Sequence, residues 1–334
     1  MRKPPIVVAV GMATVDYLYT VPAHPIEDSE NRVLETLTVV GGPAGRGAIA
    51  ARRLGAETRL LATIGADAHA DILRAQLKDE GVDCLWVTHD LPSQHSAVIV
   101  SREHSTRTTL WLPQPPHDSR VEDALPALLD GADAVLMDMT DRLVAEAVLR
   151  ECSRRGVPVV VDTGSRKPWA EELLLEWRPA FPVAPAKFFD NDRELTEQIV
   201  ESRARWGVAT LGATRGSEGG VWVDGEGVHA FLAAPVEAID TCGAGDTFHG
   251  ALAWAVAAGL STHAAFDVAR WSAGLKTTAI GNDAIPTWEQ LARHLGPQAP
   301  GGHLTESKIT SHFGQTPHIS TPLGEGADDE SGIG

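Results

Sequence analysis

Short β-branched runs alternate with amphipathic stretches along most of this chain, and that rhythm restricts the fold more than any other feature. "IVVAV" (6–10), "RLLATI" (59–64), "DAVLMD" (133–138), "VPVVVD" (157–162) and "GVATL" (207–211) have the character of buried strands. Among them lie "HADILRAQLKDEG" and "DRLVAEAVLRECSRRG", whose apolar residues recur at three- and four-residue spacing before a glycine. That is the pattern of a helix with one buried face and a C-terminal stop. Strands separated by such helices build βαβ units, so the expected fold class is α/β: a doubly wound, mostly parallel sheet covered on both faces. Two stretches, 14–40 and 94–112, are strand-rich without intervening helices and predict a smaller β layer. From about Gly296 onward the sequence turns to Gly, Pro, Ser, Thr and His with no period and an acidic end. One domain is therefore expected over 1–295 and a disordered tail over 296–334.

Charge narrows the partners. A formal net charge of −17 over 334 residues disfavours a nucleic-acid or anionic-membrane surface and leaves small molecules. Cys84, Cys152 and Cys242 are too widely spaced for a metal-ligand pair or a disulfide framework, which fits a reducing cytoplasm. "MRKPPIVVAVG" carries only a five-residue apolar run, too short for a signal segment and suited to a first buried strand. Nothing approaches a membrane span.

One stretch asks for chemistry. "DTCGAGDTFHG" (240–250) leads into the apolar "ALAWAVAAGL". A helix N-terminus offers unpaired N–H groups and a partial positive charge, an anion site if side chains stay clear. Gly243, Ala244 and Gly245 clear that space, and Asp246 follows in the first turn. If the N–H groups hold a transferring phosphoryl group, Asp246 accepts the proton of the attacking hydroxyl. Taken alone, Asp246 equally reads as a first-turn acid complementing the dipole. Cys242 reads as a small spacer, and His249 as helix packing. No Walker A sequence is present.

The unbroken D-T-x-G-A-G-D-x-F string closely resembles the C-terminal signature of the PfkB, or ribokinase-like, carbohydrate kinases, and the resemblance runs over roughly residues 6–295. "VGMATVDYLY" resembles the family's first strand, with Asp16 where these kinases hold sugar hydroxyls. "VVGGPAGRGAIAARRLGA" is similar to its N-terminal signature, with the Gly41–Gly42 turn. "VVVDTGSRK" resembles a D-x-N-x-R element, keeping Asp162 and Arg166 but with Gly164 for the asparagine. "DNDRE" is similar to N-x-x-E, with Asn191 and Glu194, which also fit a capping box opening the next helix. "TRGSEGG" matches T-x-G-x-x-G through Thr214, Gly216 and Gly219, though an ordinary turn has the same composition. "TTAIGNDAIP" resembles the adenine-side and monovalent-cation segment, with Gly281. The lid entry and glycine signatures are most similar to ketohexokinase and sulfofructose kinase types.

The resemblance implies an ATP-dependent kinase acting on a hydroxyl of a small sugar or sugar-like acceptor, an acidic one included, with the β layer as a lid. It implies catalysis by Asp246 with Gly243, Ala244 and Gly245, and acceptor binding by Asp16, Gly41, Gly42 and Arg46. ATP is expected at Asn191, Glu194, Thr214, Gly216, Gly219 and Gly281, with Mg²⁺ and K⁺ and metal positions at Glu194, Asp240 and Thr241. Arg46 stands where neutral-sugar binders carry asparagine. A cation at a helix start runs against the dipole, so Arg46 either pairs with a carboxylate such as Asp16 or Asp246, or grips an anionic acceptor. Alternatives are a nucleoside kinase, with Tyr17, Tyr19 and Trp111 clamping a base, and a catalytically silent sugar sensor. A homodimer through exposed lid edges is expected.

Overall fold

The computed structural model describes residues 3–295 apart from 105, 114 and 116; the expected tail, 296–334, lies outside the described residues. The first half of the chain runs β1 (Ile6–Val10), β2 (Thr14–Val21), β3 (Glu35–Gly41), α1 (Pro43–Arg53), β4 (Glu57–Ile64), α2 (Ala68–Asp79), β5 (Asp83–Thr88), β6 (His95–Ser101), β7 (Thr106–Trp111) and α3 (Arg120–Leu128). It continues through β8 (Ala134–Asp138), α4 (Arg142–Arg155), β9 (Val159–Asp162), α5 (Ala170–Trp177), β10 (Phe181–Pro185), α6 (Leu195–Trp206), β11 (Leu211–Thr214), β12 (Gly220–Val223), β13 (Val228–Phe231), α7 (Ala244–Ala257), α8 (Thr262–Lys276) and α9 (Trp288–Ala292).

Every residue of β1 is buried. Val7 and Ala9 join one core and Val8 and Val10 the other, the two-residue period of a strand covered on both faces. The large sheet has the order β13-β12-β11-β10-β9-β8-β1-β4-β5. It is parallel except where β12 and β13 add an antiparallel hairpin. The chain steps outward from β1 to β4 and β5, then restarts at β8 and steps the other way. That reversal between β1 and β8 opens a crevice at the strands' C-terminal ends, where open α/β sheets take their ligands. Helices α1, α2, α7 and α8 contribute to the first core and α3 to α6 to the second. The expected helix over 141–156 forms as α4: Asp141 accepts N–H bonds from Leu143 and Val144, and Gly156 ends it in the left-handed region, as side-chain capping and a C-terminal glycine dictate.

The lid is a second sheet, β3-β2-β6-β7. Register puts Asp16 opposite Val39 and Ser96, and Ser96 opposite Trp111, so these four share one row. Tyr17 and Tyr19 alternate to the opposite face. Residues 22–34 form no strand, so only the ends of 14–40 belong to the sheet. One further expectation needs correction, and one strand escaped the sequence reading. The strand expected at 207–211 starts only at Leu211, because Gly207 (φ 66°) closes α6 and the chain must first return to the sheet. Phe181–Pro185 is a buried parallel strand that two prolines hide from a β-propensity reading. No helix among the described residues is long and apolar enough to cross a membrane.

Candidate active site

Gly243 opens α7 with φ 78°, and no side chain caps the helix. The Ala244 N–H makes a long bond to Thr241 O at 3.4 Å, and no side chain occupies the N–H groups of the first turn, as an anion site requires. A Cβ at Gly243 would overlap the Arg46 side chain, whereas one at Gly245 would meet nothing within 4 Å. Glycine at 243 is thus demanded by both a turn and a close approach. Ala244 is the first helical residue, and Asp246, with a side chain 20% exposed, sits in the first turn.

Arg46 lies in the first turn of α1 and is buried, at 3% exposure. Its Nη1 donates to Asp246 Oδ2 at 2.8 Å, its Nη2 to Asp16 Oδ2 at 2.9 Å and its Nε to Asn282 Oδ1 at 3.0 Å. Of the two roles expected of Arg46, the ion pair is the one present, and it engages both carboxylates. Burial opposes the guanidinium charge, and the Asp16 and Asp246 carboxylates outweigh it and hold Arg46 above its ordinary value. Burial pushes the Cys242 thiol up, so at neutral pH it is protonated and the two carboxylates carry the compensation. Asp16 Oδ1 meanwhile accepts the Thr14 and Ser96 hydroxyls, both at 2.7 Å. Asp16 thus joins two lid strands to the body through Arg46. Gly41 leaves room for the Asp16 carboxylate and Gly42 is the N-cap of α1.

Helices α1 and α7 meet at backbone. A Cβ on Gly250 would overlap the main chain of Gly47, and one on Gly47 would overlap Leu136. This contact brings the residues beside it, Arg46 and Asp246, within bonding distance.

Beside this cluster, Gly11, Met12, Thr63, Gln94, Asp138 and Thr140 line a cleft at the β1–β8 switch. Asp138, which sequence reading missed, accepts the Met12 N–H at 2.7 Å, and the Thr140 N–H and hydroxyl also bond to it. Burial pushes its carboxyl up against those bonds, and Asp162 adds to the effect. Its signal was an acid ending a fully buried strand. The lid reaches the glycine loop through Arg107, whose Nη1 donates to Thr241 Oγ1 at 3.1 Å.

The expected metal position at Asp240 and Thr241 does not fit an ion. Asp240 is fully buried. Its Oδ2 lies 2.8 Å from the Lys276 ammonium and accepts the Gly281 N–H at 3.1 Å, and its Oδ1 accepts the Cys242 N–H at 2.8 Å. Both carboxylate oxygens are engaged, and a lysine supplies a positive charge at 2.8 Å, where a cation would otherwise stand. Gly281, expected beside the adenine and the monovalent cation, is bonded to this same carboxylate.

Thr214 ends β11, and Gly216 and Gly219 flank a tight turn closed by Arg215 N–H to Gly219 O at 2.7 Å. Asn191 and Glu194 are exposed. Glu194 is the N-cap of α6, accepting the Leu195 N–H at 2.8 Å, so the capping role belongs to it and not to Asn191. Among the described residues no hydrogen bond joins either to the glycine loop, and no group of three or more metal-ligating side chains occurs. Mg²⁺ would therefore rest mainly on phosphate oxygens and water, with Glu194 offering one carboxylate. Arg166 pairs with Glu171 at 2.9 Å. His249 is buried in α7 and bonds to Gly245 O at 2.8 Å, a packing role.

A family model, pfkB family carbohydrate kinase, matches residues 5–288. A ribokinase from Bacillus subtilis strain 168 is 26% identical over 298 residues, covering 86% of this chain and 98% of its own. A fructokinase from Klebsiella pneumoniae is 27% identical over 315 residues, covering 86% and 98%. The Arabidopsis thaliana ribokinase complexed with ribose and ATP has the same fold, with a TM-score of 0.72 at 22% identity over 87% of this chain and 98% of that one.

Proposed function

The chain belongs to the pfkB family of carbohydrate kinases, and from that membership we propose how its site performs the transfer. It is an ATP-dependent sugar kinase, a phosphotransferase with an alcohol group as acceptor. The observation that carries the proposal is the uncapped start of α7 with Asp246 in its first turn. The acceptor hydroxyl attacks the γ-phosphoryl group of ATP, and Asp246 takes its proton. N–H groups from Gly243 to Asp246 stabilise charge on the moving phosphoryl. ATP, with Mg²⁺, runs along Asn191, Glu194, Thr214, Gly216 and Gly219. The acceptor lies in the β1–β8 cleft under Asp16 and the Gly41–Gly42 turn. Lid closure excludes water that would otherwise take the phosphoryl group.

The acceptor reading is a neutral polyhydroxyl compound. Two carboxylates face one guanidinium, so an acidic acceptor gains Arg46 only by displacing Asp16 or Asp246. A base clamp gains no support either: Tyr17 and Tyr19 lie on the lid face opposite Trp111, and Tyr17 packs edge-on against His69. Three free cysteines support a cytoplasmic location.

An ADP-release assay across neutral sugars, acidic sugars and nucleosides tests this. Neutral sugars are expected to lead, and Arg46→Ala to depress turnover with every acceptor, because Arg46 positions Asp246. Acidic sugars leading, with Arg46→Ala erasing only their advantage, would establish the anion grip instead. No turnover with any acceptor would mean a sensor.

A further inference from the structure

The fully buried ion pair between Lys276 and Asp240 stands at the root of the glycine loop, and the phosphoryl-transfer proposal makes no use of its lysine. Lys276 is the last residue of α8, a helix end that favours a cation. Both its side chain and that of Asp240 are 0% exposed. The ammonium donates to Asp240 Oδ2 at 2.8 Å and to the Asp240 carbonyl at 3.2 Å. A carboxylate and a carbonyl gathered around one buried positive charge are the oxygen donors that a monovalent cation takes.

The same aspartate shapes the loop. Its second oxygen holds the Cys242 N–H, the residue before Gly243, and its first also holds the Gly281 N–H. The backbone of Ile239 and Asp240 is in turn tied to Thr277 O, at 2.7 and 3.0 Å. The charge that fixes Asp240 therefore fixes the start of the anion loop, the end of α8 and the Gly281 turn together. An unpaired carboxylate in this position would be strongly destabilising, since a buried charge needs its partner.

We propose that Lys276 is a tethered cation occupying the place of a monovalent metal ion, that it positions the glycine loop for phosphoryl transfer, and that this kinase needs no K⁺. Lys276 is a positioning residue, acting through Asp240 on the N–H groups that meet the phosphoryl group. The inference rests on the kinase reading for its catalytic consequence but not for its binding consequence.

The test compares the intact wild-type protein and Lys276→Ala in KCl, NH₄Cl, LiCl and choline chloride at equal concentration. Wild-type thermal melting is expected to be the same in all four. Lys276→Ala should melt lower in choline and recover by about 5 °C in saturating KCl or NH₄Cl, but not in LiCl, as a refilled site requires. In ADP release with the best acceptor, wild type should be indifferent to the cation. The variant should lose about 10–100-fold in kcat, with a smaller change in KM for ATP, and regain part of it with K⁺. A wild type that is stabilised or activated by K⁺ over choline overturns the proposal. So does a folded Lys276→Ala that gains neither stability nor turnover from K⁺. If Lys276→Ala does not fold, Asp240→Asn/Lys276→Met removes both charges and gives a folded comparison. That pair should be stable yet slow and indifferent to K⁺; full turnover there also overturns the positioning role. Should no acceptor release ADP in any buffer, the kinase reading fails, and the melting comparison still decides the cation question.

Discussion

Asp246 and Arg46 divide one problem between them. In the proposed transfer, a base near the phosphates must be held still yet keep an oxygen for the acceptor's proton. Arg46 takes one oxygen of Asp246 at 2.8 Å, and the side chain stays 20% exposed. Replacing Asp246 by Asn preserves shape and removes the proposed base, so kcat should fall by about 10²–10⁴-fold with KM for ATP nearly unchanged, while the melting temperature drops because buried Arg46 loses one of its two carboxylates. Near-normal turnover in Asp246→Asn would reduce the residue to a dipole partner. Asp246 was legible in the sequence because its helix start and glycines are contiguous. Asn282 and Lys276 were not: Arg46 and Asn282 are 236 residues apart, and a lysine closing an apolar helix looks like an ordinary last-turn residue. Only packing of α1 and α8 onto the glycine loop gives them roles.

Elements were easiest to read where both pattern and caps were present, as in α2 and α4, and hardest where the chain bends back toward the sheet. Helix α2 is also tied to the lid. Asp67 caps it, accepting the Ala70 N–H at 3.0 Å, and binds the Ser93 hydroxyl at 2.6 Å and N–H at 2.8 Å just before β6. Partial burial pushes the Asp67 carboxyl up, but the Ser93 and Ala70 bonds outweigh it and hold it at about 2. A lowered carboxyl stabilises the fold fully above its unfolded value of about 3.9, and that contribution fades as pH falls from there toward about 2. Asp67→Ala should therefore cost about 1–2 kcal/mol in urea melts at pH 7. Roughly half of that deficit should be gone by pH 3. A deficit independent of pH would mean that the side chain acts by packing alone.

At the scale of the molecule, an acidic protein has gathered Arg46, Arg107 and Lys276 around one loop, where they offset Asp16, Asp240 and Asp246 and leave the proposed phosphate site without the −17 total's local repulsion. The lid leaves one end open. Strand β7 is exposed at every position, with Trp111 at 68%, and its outer edge has no neighbour in the sheet. We propose that a second copy pairs there. Sedimentation equilibrium should give twice the monomer mass, and Leu110→Lys should return it to one. A monomeric wild type, or a dimer unaffected by the change, removes this edge as the interface.

The contact between Gly47 and Gly250 has a consequence for how such an enzyme can be altered. Where two helices touch through main chain, no choice of side chain can widen or shift the gap without overlap. The proposed phosphate half of the site is in this sense closed to gradual change by substitution at the crossing. The proposed acceptor half is not: Trp111 stands 68% exposed on a lid strand and can be exchanged with little effect on the helices beneath, whereas Ser96 is tied through Asp16 to Arg46. A library aimed at new acceptors belongs on β7, and variants at the helix crossing should be depleted from it before any selection for activity begins.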